Sequence, residues 1–217
     1  MKKHLLIIAV LFAFVATAAA QNEDVYSDGG IGISLGAQCS NHPSSLYWTG
    51  KSLVEMRMPN DVSFPFGFKA LEISAGPDYF SVSVAPLWIT GTFLGSSIDC
   101  HGAEWGFFVG ILSQGQLYYP IGKHFELTAG WNLFRLTKMK DISSAWYLTG
   151  SLNAGINFFA TKKLFVTAYY EFNHTYNPMI KTLNWSLGGL GVDITEQPRA
   201  LIGHTIGLRV GWLWDGL

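Results

Sequence analysis

The sequence predicts an all-β fold, a transmembrane antiparallel up-and-down β-barrel of eight strands, and three observations carry that expectation. Long segments alternate apolar and polar residues with a period of two. The chain is poor in charge and rich in rings, with 13% charged and 15% aromatic residues, whereas soluble domains carry about 25% charged residues. Beyond residue 20 there is no run of about 20 apolar residues, which excludes helical spans. A closed barrel is the other structure that satisfies every backbone group in lipid.

Residues 1–20 read as a secretory signal peptide. Lys2 and Lys3 give a positive start, Leu5 to Val15 an apolar stretch, and Thr17-Ala18-Ala19-Ala20 the small residues a signal peptidase needs, with cleavage expected after Ala20. Residues 21–217 are then one barrel domain. Loss of the two lysines takes the 14 Lys+Arg to 12 against 15 Asp+Glu. A net charge of −3 is not the profile of a nucleic-acid binder.

The alternation is clearest in the second half. From Leu164 to Tyr176 the even positions (Leu164, Val166, Ala168, Tyr170, Phe172, His174, Tyr176) are apolar or aromatic with one His, and the odd ones (Thr167, Glu171 and Asn173 among them) are mostly polar. Trp146 to Ala160 repeats the pattern. Leu201 to Trp214 puts Ile202, Ile206, Leu208, Val210, Trp212 and Trp214 on one face, with Thr205, Arg209 and three glycines on the other. Segments of 11 to 15 residues exceed the about 5–6 of a globular strand and meet the about 9–11 that a tilted membrane strand needs. Trp105, Trp131, Trp146, Trp212, Trp214, Tyr79 and Tyr176 fall near segment ends, as interfacial girdles do.

The expected strands are Gly30–Gln38, Val62–Ala75, Tyr79–Thr92, Glu104–Tyr118, His124–Thr137, Ala145–Phe159, Leu164–Thr175 and Leu201–Trp214. Short connections at Gly76-Pro77-Asp78, Tyr119–Lys123 and Ala160–Lys163 would be periplasmic turns. Longer ones at Cys39–Asp61, Phe93–Ala103, Lys138–Ser144 and Tyr176–Ala200 would be extracellular loops. Leu46–Met58 and Leu183–Leu187 also alternate; they read as β-extensions of loops, and promoting both would give a ten-strand alternative. The alternation changes phase between Ala70 and Leu71, and Pro86 sits inside a strand, so both places read as bulges.

The signal peptide, the girdled strands, the alternating short and long connections and the final strand Ile206-Gly207-Leu208-Arg209-Val210-Gly211-Trp212-Leu213-Trp214 together resemble the small outer-membrane β-barrel proteins, including the OmpA-, OmpX- and OmpW-like families. The resemblance covers essentially the whole mature chain. It implies residence in the outer membrane of a Gram-negative bacterium, insertion by the barrel-assembly machinery, and a wall surrounded by outer-membrane lipid and lipopolysaccharide. It also implies loops open to an extracellular partner.

Candidate chemistry is sparse. Cys39 and Cys100, exported to an oxidising compartment, are a candidate disulfide between the first two extracellular loops. A polar lumen is expected from Glu126, Asn153, Asn157, Glu171, Asn173 and Arg209, with Gln114, Gln116 and Asn132 beside them and Glu171 paired to Arg209. In an eight-strand barrel such side chains form a plug. None of the six His has zinc-type spacing, so no metal or other cofactor is expected. His174 and His204 fall on the lipid-facing side. Lipid A deacylases resemble this in carrying an outward His and Ser two residues apart, with a Glu further on. Here Asn173-His174-Thr175-Tyr176 offers Tyr176 in place of the Ser, and no outward acid follows on the last strand. Gly188-Gly189-Leu190-Gly191 lacks the strand-turn-helix setting of a nucleotide loop. The expected function is a non-enzymatic surface barrel serving envelope integrity, adhesion or partner binding. The alternatives are a lipid A-modifying enzyme and a small-solute channel.

Overall fold

In the computed structural model, the described residues are 29–42, 45–57, 66–85, 112–140, 146–175 and 202–214. They form nine strands: β1 (Gly30–His42), β2 (Ser45–Arg57), β3 (Phe66–Ala75), β4 (Tyr79–Val84), β5 (Gly115–Ile121), β6 (Phe125–Met139), β7 (Trp146–Phe159), β8 (Leu164–Thr175) and β9 (Ile202–Trp214). Every pairing is antiparallel. Sequence neighbours pair around the wall, and β1 pairs with β9 from Ile31↔Trp214 to Asn41↔His204, which closes the sheet.

The nine strands fill eight lanes. β3 pairs with β4 over Leu71–Ala75 and with β5 over Phe66–Phe68; β6 pairs with β4 over Leu136–Met139 and with β5 over Phe125–Gly130. β4 and β5 therefore run in the same direction as the upper and lower halves of one lane. At the junction the Ala85 amide donates to the Ala70 carbonyl, at 2.9 Å.

The count of eight agrees with the sequence expectation, but its make-up does not. Leu46–Met58, read as a loop extension, falls within β2 as far as Arg57. Its Lys51, Glu55 and Arg57 point inward and are buried. Tyr79–Thr92 and Glu104–Tyr118, read as two strands, supply two halves of one lane, β4 and β5. β1 runs on to His42, so Cys39 lies in the wall, opposite Trp48 and Ile206, and not in a loop. The Gly76–Asp78 turn lies at the end opposite the termini, and the turns after β5 and β7 lie at the terminal end. Residues 1–20, Cys100, Pro86, Tyr176 and Leu183–Leu187 lie outside the described residues.

The wall is inverted relative to a water-soluble protein. Its outer face carries Leu35, Leu46, Trp48, Leu152, Ile206 and Trp214, all exposed, with Trp48 at 70%. Its inner face buries Lys51, Glu55, Glu72, Arg135 and Glu171. Exposed apolar surface outside and buried charge inside is the arrangement lipid selects, because only the interior offers partners to charge. Glycines on the inner face of β9 make room for rings from β8. A Cβ on Gly207 would overlap the Tyr169 ring, and one on Gly211 the Phe165 ring.

Two bulges set which residues face in. In β3, Leu71 opposes Val54 and Lys69 opposes Glu55, which leaves Ala70 extra; this is where the alternation changes phase. Lys69 and Glu72, three residues apart, consequently share the lumen. In β6, Asn132 opposes Ser151 and Arg135 opposes Thr149, so one residue is extra across Leu133-Phe134. The Asn132 side chain braces this bulge by accepting the Phe134 amide, at 3.1 Å, and both Asn132 and Arg135 are buried inside.

Candidate functional site

The lumen is filled by two charged clusters between two aromatic ends. Nearest the terminal end, Phe159, Phe165 and Leu213 pack together. Above them the Arg57 guanidinium lies 4.2 Å from the Tyr118 ring centroid and 5.3 Å from that of Phe165. Arg57 Nε donates to Glu55 at 2.9 Å and its Nη1 to Glu126 at 3.0 Å. Asn157 Nδ2 donates to the same Glu126 oxygen at 2.7 Å, and Thr167 donates to Asn157 Oδ1 at 2.7 Å. This chain of contacts links β2, β6, β7 and β8.

The second cluster lies mid-barrel. Glu72 of β3 is bound by Lys51, by Arg135 and by Lys69, the last at 3.4 Å. Arg135 also binds Glu171 and donates to Asn173 Oδ1 at 2.8 Å. Asn173 Nδ2 donates to Thr205 at 3.1 Å, and the Thr205 hydroxyl donates to Ser40 Oγ at 2.8 Å. Beside this run, Tyr169 donates to Gln38, which donates to Ser74 at 3.0 Å. Side chains from β1, β2, β3, β6, β8 and β9 thus meet across the lumen. At the far end Tyr47, Tyr79, Met139 and Tyr147 pack together, and the His42 ring stacks on Tyr79 at 5.9 Å.

Among the residues expected in the lumen, Glu126, Asn157, Glu171 and Asn173 are buried inside these clusters. Asn132 donates to Ser83 at 2.7 Å, and Ser83 donates to Gln114 at 3.2 Å. Gln116 is buried and Asn153 half-buried. The expected Glu171–Arg209 pair is not formed. Arg135 and Lys51 occupy Glu171 instead, and Arg209 lies over the Tyr169 ring at 4.8 Å. Sequence reasoning missed Lys51, Glu55, Arg57, Lys69, Glu72 and Arg135. The first three alternate on one face of their segment, which was a usable signal. Arg135 carried a misleading one, because the β6 bulge reverses its parity.

The expected disulfide is not shown, because Cys100 lies outside the described residues; Cys39 itself is half-buried on the outer side of β1. No group of His, Cys, Asp and Glu among the described residues could hold a metal ion.

A closed eight-lane wall, apolar outside and ion-paired inside, decides the architecture. This is the transmembrane antiparallel up-and-down β-barrel that the sequence predicts. Similar solved barrels include neisserial surface protein A, with 7% identity, TM-score 0.44, and coverage of 87% of this chain and 98% of that one. Ail, the attachment invasion locus protein of Yersinia pestis, gives 11% identity, TM-score 0.43, and coverage of 86% and 99%. The N-terminal β-barrel domain of Pseudomonas aeruginosa OprF gives 7% identity, TM-score 0.37, and coverage of 84% and 98%. No protein-family model and no curated protein sequence matches the chain.

One polar feature stands on the outer face of this barrel. Tyr170 of β8 and His204 of β9 are hydrogen-bonded through the phenol oxygen and Nδ1, at 2.7 Å, with stacked rings. Phe172 tilts against the same imidazole at 5.7 Å.

Proposed function

We propose that the chain is an exported, non-enzymatic outer-membrane barrel that serves as a closed anchor, carrying its connecting segments for envelope integrity, adhesion or partner binding. The observation that carries this reading is the lumen. Ion pairs join opposite walls, and aromatic clusters lie at both ends, so the interior has the character of a plug. Unpaired charges would be costly there, whereas paired ones hold the wall together. The signal peptide is removed after Ala20, the barrel-assembly machinery inserts the chain, and outer-membrane lipid and lipopolysaccharide surround it. An extracellular partner meets the segments at the membrane surface.

The test is conductance of the full-length purified protein in planar lipid bilayers, with acyl release from lipopolysaccharide assayed on the same preparation. The closed anchor gives neither steady unitary conductance nor released acyl chains. Steady solute flux would replace the anchor with a channel, and acyl release would replace it with an enzyme.

A further inference from the structure

We propose that Tyr170, His204 and His174 form a site on the outer wall that takes the phosphorylated headgroup of a membrane lipid. The inference rests on the outer-membrane reading above and adds a ligand class and a place. The exposed face of β9 is otherwise apolar, with Ile202, Ile206, Leu208, Val210, Trp212 and Trp214, and His204 interrupts it. A polar imidazole facing hydrocarbon is costly unless its hydrogen bonds are made.

Depth resolves that conflict. Trp212 and Trp214 mark the terminal end of β9, and His204 lies two residues from the opposite end, at Ile202. With a rise of about 3.3 Å per residue and a tilt of about 40°, each residue descends roughly 2.5 Å. A strand of 13 residues then overshoots an apolar band about 25 Å tall by roughly 4 Å at each end. His204 falls at the edge of that band. Tyr170, opposite Ile206, starts deeper and reaches up, its ring in the apolar layer and its hydroxyl on His204.

The chemistry turns on the hydrogen bond. The phenol oxygen meets His204 Nδ1, and either atom can be the donor, according to the tautomer of the ring. With Nδ1 accepting, the neutral ring carries its proton on Nε2. Nε2–H is then a donor at headgroup depth. His174 pairs with Ile202, and His204 with Phe172, so the two histidines are diagonal cross-strand neighbours, about 7–8 Å apart at the backbone. That spacing suits two imidazoles approaching one phosphate group, while Phe172 supplies an apolar flank for the attached chain. The site lies on the lipid-facing side of the wall, so its occupant is a lipid headgroup in preference to a soluble anion.

The experiment uses full-length protein in detergent micelles. The micelles are doped in turn with bis-phosphorylated lipid A, a phosphate-free glycolipid of matched chain length, and inorganic phosphate alone, and retained ligand is counted by native mass spectrometry. Wild type should retain the phosphorylated lipid roughly tenfold better than the phosphate-free one, the factor expected of a charge-assisted hydrogen bond. His204→Phe and Tyr170→Phe both keep an apolar ring, and each should lose most of that preference, whereas Val210→Ala should keep it. Equal retention by wild type and the two Phe variants would overturn the site. Retention of inorganic phosphate at the same level would overturn the lipid as its occupant, and so would a dimer that disappears in His204→Phe. Fractionation of wild type separates the two layers of argument. Recovery outside the outer membrane overturns both readings, while normal recovery without lipid preference overturns the site alone.

Discussion

Arg135 on β6 reaches past β7 to bind Glu171 on β8, and with its other guanidinium nitrogen it binds Glu72 on β3. One side chain therefore bridges parts of the wall that share no backbone ladder. Arg135→Ala should destabilise the barrel by about 3–5 kcal/mol, the effect of leaving buried charges without their partner. Urea unfolding in lipid vesicles measures this. A loss under about 1 kcal/mol would mean that the mid-barrel cluster does not contribute to stability.

The inverted wall makes opposite demands on adjacent residues. Leu152 and Ala168 point out, whereas Ser151 and Thr167 are buried inside. Arg at either outward position should cost about 2–4 kcal/mol near the membrane midplane. Assembly is read from the heat-dependent shift in apparent mass on SDS gels. Wild-type assembly of both Leu152→Arg and Ala168→Arg would show that the faces are reversed.

The β6 bulge yields a less intuitive expectation. Deleting Phe134 leaves Asn132 and Arg135 two residues apart, and a regular strand then still points both inward. That deletion should permit assembly. Deleting Ala154, in a regular part of β7, shifts one half of the strand to the wrong face and should abolish it. The same gel assay distinguishes them, and equal tolerance of both deletions would argue against the bulge.

The glycine seats on β9 can be tested by compensation. Gly211→Val drives a side chain into the Phe165 ring and should cost about 1–3 kcal/mol by overpacking. Adding Phe165→Ala should restore much of the loss. If the double variant were as unstable as the sum of the two single ones, the glycine would have some other role.

Much of this fold could be read directly from residue order. Leu164–Thr175 has the bounds expected of it, and β7 and β9 each differ from expectation by one residue at the start. These strands are regular, and a strict period of two identifies both their extent and their faces. Legibility failed where physics made the pattern ambiguous. Lys51, Glu55 and Arg57 alternate on one face, but a sequence does not distinguish charge facing water from charge facing an opposite charge in a lumen. Arg135 was hidden by a bulge that a single strand cannot announce, since register exists only against a partner. The Glu171 partner was misassigned for the same reason. Arg209 lies on the neighbouring strand, opposite Thr167, while Arg135 reaches Glu171 from two lanes away.

The shared lane of β4 and β5 has a consequence for connectivity. Every described backbone ladder is complete without residues 86–111, because β4 draws its partners from the upper parts of β3 and β6, and β5 from their lower parts. The polypeptide could be severed in that interval without removing one rung. A fragment ending after Ala85 and another beginning before Leu112 would each retain antiparallel strands of their own and would meet along three seams, β1 with β9 and the two flanks of the divided lane. Co-expressed halves would then reconstitute the whole, which makes this the natural site at which to split the gene.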